Sequence, residues 1–114
     1  MLAKKYRLSK KKDFQNIFKR GKSFKEGCIF LKAAANNIRF SRFGFVVSNK
    51  ISKKSVERHK IKRRLNEIIR FKMPLIRKGY DMVIIAGPEI KNKDYRELEE
   101  IIKKLLITAK LLNP

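Results

Sequence analysis

Between Ser55 and Arg70 the chain reads SVERHKIKRRLNEIIR, and no other stretch limits the fold so severely. Placed at about 100° per residue, Ile61, Leu65, Ile68 and Ile69 gather on one helical face, which must pack on an apolar layer. His59, Arg63, Asn66 and Arg70 then form a line on the opposite face, at i, i+4, i+7 and i+11. Arg58 and Lys62 flank that line on one side, Lys60 and Arg64 on the other. Like charges four residues apart destabilise an isolated helix by tenths of a kcal/mol. A solvated charged face is the bland reading, but a face of nearly one sign calls for a partner outside the fold. Guanidinium forks at fixed intervals suit phosphate oxygens, and lysines add point charge.

The rest of the chain has the same bias. The whole chain carries 31 Lys+Arg against 10 Asp+Glu, a formal net charge of +21 over 114 residues. Such self-repulsion weakens a folded domain unless it is neutralised, and a polyphosphate neutralises it with release of counterions. The charge is uneven: residues 1–25 and 50–72 each hold ten Lys/Arg, whereas residues 89–114 hold six against five Asp/Glu. One charged side and one ordinary side are expected, a binding footprint rather than a solubility device. A membrane is a poor partner, because no segment approaches the ~20 apolar residues of a spanning helix. The basic start, MLAKKYRLSKKKDF, is followed by no apolar run, so no secretory signal is expected and the cytoplasm follows. With 43% hydrophobic residues and no linker or repeat, residues 1–114 read as one domain.

Coarse patterning gives the order helix, strands, helix, strand, helix. Ser9 is placed to cap a helix running to Arg20, with Phe14, Ile17 and Phe18 at i, i+3, i+4 and Gly21 as its stop. Residues 23–34 and 38–48 read as a hairpin turning at Asn36-Asn37, each strand open to splitting by a bend, with Phe43 and Phe45 on one parity. Gly44 marks a bulge or a close approach of another backbone. A helix from Lys54 to Met73 ends at Pro74. Tyr80–Ala86 is a buried strand between Gly79 and Gly87-Pro88. The last helix spans Asp94 to Leu112 on a stripe of Leu98, Ile101, Ile102, Leu105 and Leu106. The class is α+β, with three helices packed on a small mixed sheet of about four strands.

Arg58-His59-Lys60-Ile61-Lys62-Arg63 resembles the basic motif of the bacterial ribonuclease P protein family (Arg-Asn, then Lys-Arg). Asp13-Phe14, Phe18 and Gly21-Lys22-Ser23 are similar to that family's first helix and its exit, and Phe43–Ser48 to the strand before the motif. Tyr80–Ala86 and Asp94–Leu98 resemble the later strand and the start of the last helix. The resemblance implies a left-handed βαβ crossover, against the general right-handed preference. It implies ribonuclease P RNA and precursor tRNA as partners, with no protein partner required and no membrane. The chain would be the protein subunit of an endoribonuclease holoenzyme whose catalysis is carried by the RNA.

On this resemblance, Lys53, Lys54, Arg58, His59, Lys62, Arg63, Asn66 and Arg70 face the RNA subunit, while Phe14, Phe18, Lys32, Phe43 and Phe45 line a cleft for the single-stranded 5′ leader. His59 stands where the family normally has Asn, Asn66 where it often has Arg, and Lys32 where some relatives have an aromatic. Part of the cleft is therefore expected to work by charge. By spacing alone the two helical phenylalanines are a core stripe; with the resemblance they line both core and cleft floor.

The residues offer little chemistry of their own. His59 is the only histidine, so no two-histidine acid/base pair exists, and no catalytic residue is assigned. Cys28 is the only cysteine, which removes disulfides and thiolate cages and leaves it as a small core residue. The carboxylates are too scattered for a two-metal centre. Mg²⁺ is expected to be held mainly by RNA, and no organic cofactor is expected. The rival readings are a ribosomal or other structural RNA-binding protein and a self-sufficient nuclease.

Overall fold

The computed structural model describes residues 2–112; Met1, Asn113 and Pro114, at the ends of the single domain expected from the sequence, lie outside them. Three helices, α1 (Lys11–Arg20), α2 (Ser55–Lys72) and α3 (Tyr95–Thr108), pack on strands β1 (Lys22–Glu26), β2 (Ile29–Ala35), β3 (Arg42–Val46) and β4 (Tyr80–Ala86). The strands form one mixed sheet in the order β1-β2-β4-β3. β1 pairs antiparallel with β2, β2 antiparallel with β4, and β3 parallel with β4. β3, α2 and β4 thus make a βαβ unit with adjacent strands.

Register assigns the two faces of the sheet. Leu31 pairs with Ile84, Ala33 with Met82, and Phe43 with Met82. These side chains join Ile61, Leu65, Ile68 and Ile69 of α2 and Leu98, Ile102, Leu105 and Leu106 of α3 in the main core. The alternate residues face α1, where Val83 packs with Ile17 and Leu8, flanked by Phe14, Val46 and Ile85. One thick core and one thin one therefore share the sheet. Burying an aliphatic side chain of this size stabilises by about 1.5–3 kcal/mol, so the α2/α3 layer carries most of the fold.

Several boundaries depart from the sequence reading. The segment 23–34 is two strands, split at Gly27-Cys28. Gly27, with φ +56°, occupies the first position of a two-residue hairpin turn, where a left-handed backbone favours glycine. Cys28 sits in that turn rather than within a strand, yet is buried, and burial raises its thiol pKa. The expected pairing of 23–34 with 38–48 does not form, because β4 lies between β2 and β3. Met82, Val83 and Ile84 are all buried, so β4 needs cover on both faces and takes a central place. β3 is consequently an edge strand, covered on its outer side where the Leu8 amide donates to the Phe43 carbonyl at 2.9 Å. Asn37 does take a left-handed conformation, φ 60°, at the expected turn.

Helix ends differ too. Lys10, not Ser9, precedes α1 and supplies no side-chain cap. Gly21 follows α1 in an extended conformation, and its role is close approach: a Cβ there would lie 2.4 Å from the Ile17 carbonyl oxygen. The near neighbour of Gly44 is a ring, not another backbone, since a Cβ there would lie 2.6 Å from Phe14 Cε1. α3 stops at Thr108, short of Leu112. Lys110 turns left-handed at φ 62°, and the Lys110 and Leu111 amides donate to Ile107 (3.0 Å) and Leu106 (2.8 Å). This Schellman closure returns Leu111 and Leu112 to the core, with lysine where glycine is usual.

Candidate nucleic-acid interface

α2 is held by its aliphatic line: Ile61, Leu65, Ile68 and Ile69 are all buried. His59, Lys60, Arg63 and Arg70 are exposed on the other side, with Arg58, Lys62 and Arg64 half-buried along the flanks. From His59 to Arg70 the helix rises about 16 Å at its ordinary pitch. Among the described residues no carboxylate pairs with His59, Lys60, Lys62 or Arg63. Arg70 does have one, Glu67, at 2.8 Å; both are solvent-exposed, and the guanidinium holds the Glu67 carboxyl below its ordinary pKa. Exposed pairs three residues apart are weak and leave Arg70 able to exchange partners. Phe71 beside it is 66% exposed, with the guanidinium carbon of Arg70 4.9 Å from the ring centroid.

Asn66 corrects the sequence reading. It is only 4% exposed and does not join the outward line. Its amide nitrogen donates to the Lys62 carbonyl at 2.9 Å, and its Oδ1 has no partner among the described residues. The covered sector of α2 is wider than its four aliphatic residues indicate, so Asn66 is a packing residue at the margin of the cationic face.

The start of α2 is built around Ser52. Its Oγ donates to Glu57 and accepts the Lys54 amide at 3.2 Å, while Arg58 Nη1 donates to its carbonyl at 2.9 Å. Arg58 is thereby positioned at the first turn. Lys53 and Lys54 are exposed at this end, and Lys54 is the N-cap with no side-chain cap bond. Cations at a helix N-terminus oppose the helix dipole. Glu57 softens this, its carboxyl pulled below the ordinary range by the Ser52 hydroxyl and then by Lys91, Lys54 and Lys60.

The second expected site divides between the faces of the sheet. Phe14, Phe18 and Lys32 come together between α1 and the sheet: Phe14 is half-buried in the thin core, and Phe18 is 44% exposed. Lys32 Nζ lies 5.4 Å from the Phe18 ring centroid and donates to its carbonyl at 3.4 Å. Phe43 and Phe45 do not line this cleft. Phe43 is fully buried in the main core and Phe45 packs against that core. Their shared parity was read correctly, but it points to α2 and α3 instead of α1.

In their place the structure brings Phe30, 40% exposed, with Lys25 Nζ 5.3 Å from its ring. Phe30 shares the parity of Lys32, and that alternation was the available signal. The cleft thus shows two rings, each with an ammonium over it, chemistry able to stack on unpaired bases and to meet their phosphates.

A polar network fixes the cleft wall. Arg42 donates to Asp81 through Nε (2.9 Å) and Nη2 (2.7 Å), and its Nη1 lies 3.5 Å from Asp13 Oδ2 on α1. Asn36 adds a 2.9 Å bond to Asp81. The Arg42 pKa is raised chiefly by the hydrogen bonds to buried Asp81. The lone charge on the inner parity of a short strand was the sequence signal for it.

Among the described residues no three His, Cys, Asp or Glu side chains are placed to hold a metal ion, and Asp81 is already engaged. No helix among them is long and apolar enough to cross a membrane.

Comparison with known proteins follows the same outline. Residues 2–110 match the family model described as Ribonuclease P. The ribonuclease P protein component of a Cyanothece species is 33% identical, covering 99% of this chain and 98% of its own. The Staphylococcus aureus RNase P protein structure is 30% identical and superposes with a TM-score of 0.87 over 95% of this chain and 98% of that one. The Thermotoga maritima RNase P protein is 35% identical, with a TM-score of 0.80 over 88% and 94% of the two chains.

Proposed function

This chain belongs to the ribonuclease P protein family, and on that premise we propose that α2 docks on the catalytic RNA of ribonuclease P while the cleft beneath α1 takes the 5′ leader of precursor tRNA. The observation that carries the reading is the outward line of His59, Arg63 and Arg70 above four buried aliphatic side chains. A rigid rail of this kind gains affinity from counterion release wherever a phosphate replaces solvent ions. Lys53, Lys54, Arg58 and Lys62 extend it. In the cleft, Phe18 and Phe30 stack on unpaired leader bases while Lys25 and Lys32 swing to the phosphates between them.

In this reading the protein cuts nothing itself and needs no protein partner. It works in the cytoplasm, raises substrate affinity, and adds positive charge near crowded phosphates. Among the described residues no side chains are grouped to hold a metal ion; in this reading the Mg²⁺ is held by RNA phosphates.

The test adds the protein to a bacterial ribonuclease P RNA with precursor tRNA at near-physiological salt. Mature 5′ ends should appear faster than with RNA alone, and the protein alone should leave the substrate intact. Cleavage by the protein alone, or co-sedimentation with ribosomal subunits and no effect on processing, would overturn the proposal.

A further inference from the structure

A groove of about 780 Å³ opens beyond the C-terminal end of α2, on the α2 side of the sheet and away from the α1 cleft. Tyr6, Phe40 and Met73 form its walls. The Tyr6 and Phe40 rings meet edge to face, 5.6 Å apart at 90°. Its rim is cationic: Lys5, Arg39 and Lys78 line it, and among the described residues no acidic side chain does. Lys5 Nζ stands 4.8 Å from the Tyr6 ring and 5.3 Å from the Phe40 ring.

We propose that this groove takes an unpaired nucleotide of the same RNA subunit that α2 grips, the base lying against the wall formed by Tyr6, Phe40 and Met73 and its phosphates resting on Lys5, Arg39 and Lys78. The inference rests on the reading of α2 as the RNA-docking face. An apolar concavity ringed by cations alone complements a ligand with a flat apolar face and an anionic backbone, and aromatic walls tolerate any base. The groove also continues the rail. Met73 follows α2 directly, about 4.5 Å along the axis from Arg70, so a strand tracking the helix meets the groove next. The volume falls within the range of small-ligand sites.

The test attaches a photoactivatable azidophenacyl group at Ile38→Cys, on the lip of the groove, in a Cys28→Ala background. A second protein carries the same group at Lys60→Cys on α2. Each is assembled with bacterial ribonuclease P RNA and precursor tRNA and irradiated. The Ile38→Cys probe should mark a small set of unpaired RNA-subunit nucleotides. Marks on precursor tRNA, on helical RNA only, or on a second protein copy would overturn the proposal. If Lys60→Cys marks the RNA and Ile38→Cys does not, the groove assignment fails while the docking face stands. If neither marks it, both fail.

Two variants add an affinity readout with thermal melting measured beside it. Phe40→Leu should weaken RNA binding about fivefold by removing a stacking ring. Lys78→Gln, a surface change that leaves packing intact, should lower the salt slope by about one. An unchanged slope and affinity for Lys78→Gln would overturn the assignment even if Phe40→Leu unfolds.

Discussion

α2 and α3 lie on the same face of the sheet and each buries four aliphatic side chains, yet their ends and outer faces are opposite. α3 begins with a capping box in which Asp94 accepts the Glu97 amide at 2.9 Å and Glu97 reaches back to the Asp94 amide. Lys93 pairs with Glu97, and the acids and bases of α3 balance. α2 begins at Lys54 with no side-chain cap, and its outer face is cationic with Glu57 and Glu67 as the only acids. Aliphatic packing is matched, so apart from the buried Asn66 of α2 the difference lies in groups that face solvent. α3 shows what local stabilisation looks like in this fold, and α2 shows what has been given up to hold cations outward.

The largest effects should fall where the helices agree. Leu65→Ala in α2 and Leu98→Ala in α3 should each lower stability by about 3 kcal/mol in urea denaturation, since both residues are fully buried. A large gap between them would break the claim of equal packing. The next effect separates the helices: Arg63→Ala should weaken RNA binding by about 1–2 kcal/mol and flatten its salt dependence. Lys103→Ala on α3 should change neither in a filter-binding series.

Asp94→Ala should cost about 1 kcal/mol of stability and leave RNA affinity unchanged. Lys54→Asp should act in the opposite sense, raising stability by about 0.5 kcal/mol through a better cap and dipole match while reducing affinity. A melting temperature that rises with no loss of RNA binding would remove Lys54 from the interface.

The smallest effect concerns Glu67. Glu67→Gln should tighten RNA binding by about twofold, because Arg70 no longer divides its time with a carboxylate. The pH sign agrees: the folded-state pKa of Glu67 is lowered, so the pair is intact above the ordinary carboxylate range and is lost as pH falls through the lowered value.

What could be read from the sequence was whatever short-range periodicity governs. The aliphatic line of α2, the apolar run of β4 and the stripe of α3 all stand where spacing placed them. Long-range pairing was not legible: nothing within residues 23–48 announces that β4 will separate β2 from β3. Parity grouped Phe43 with Phe45 but could not say which layer they would meet. A helical wheel fixed the angle of Asn66 but not the breadth of the sector its neighbours cover. Lys110 in a left-handed closure carries no residue signature, because glycine is the usual cue.

Gly44 has a wider consequence for the cleft beneath α1. The Phe14 ring rests on a residue without a side chain, so the height of α1 above the sheet is gauged by one missing carbon. Alanine there would act as a shim, forcing the ring outward, and the mouth of the cleft would change in a step instead of by degrees. The calibre of the cleft is therefore set from beneath, at a position no ligand lying in it would touch.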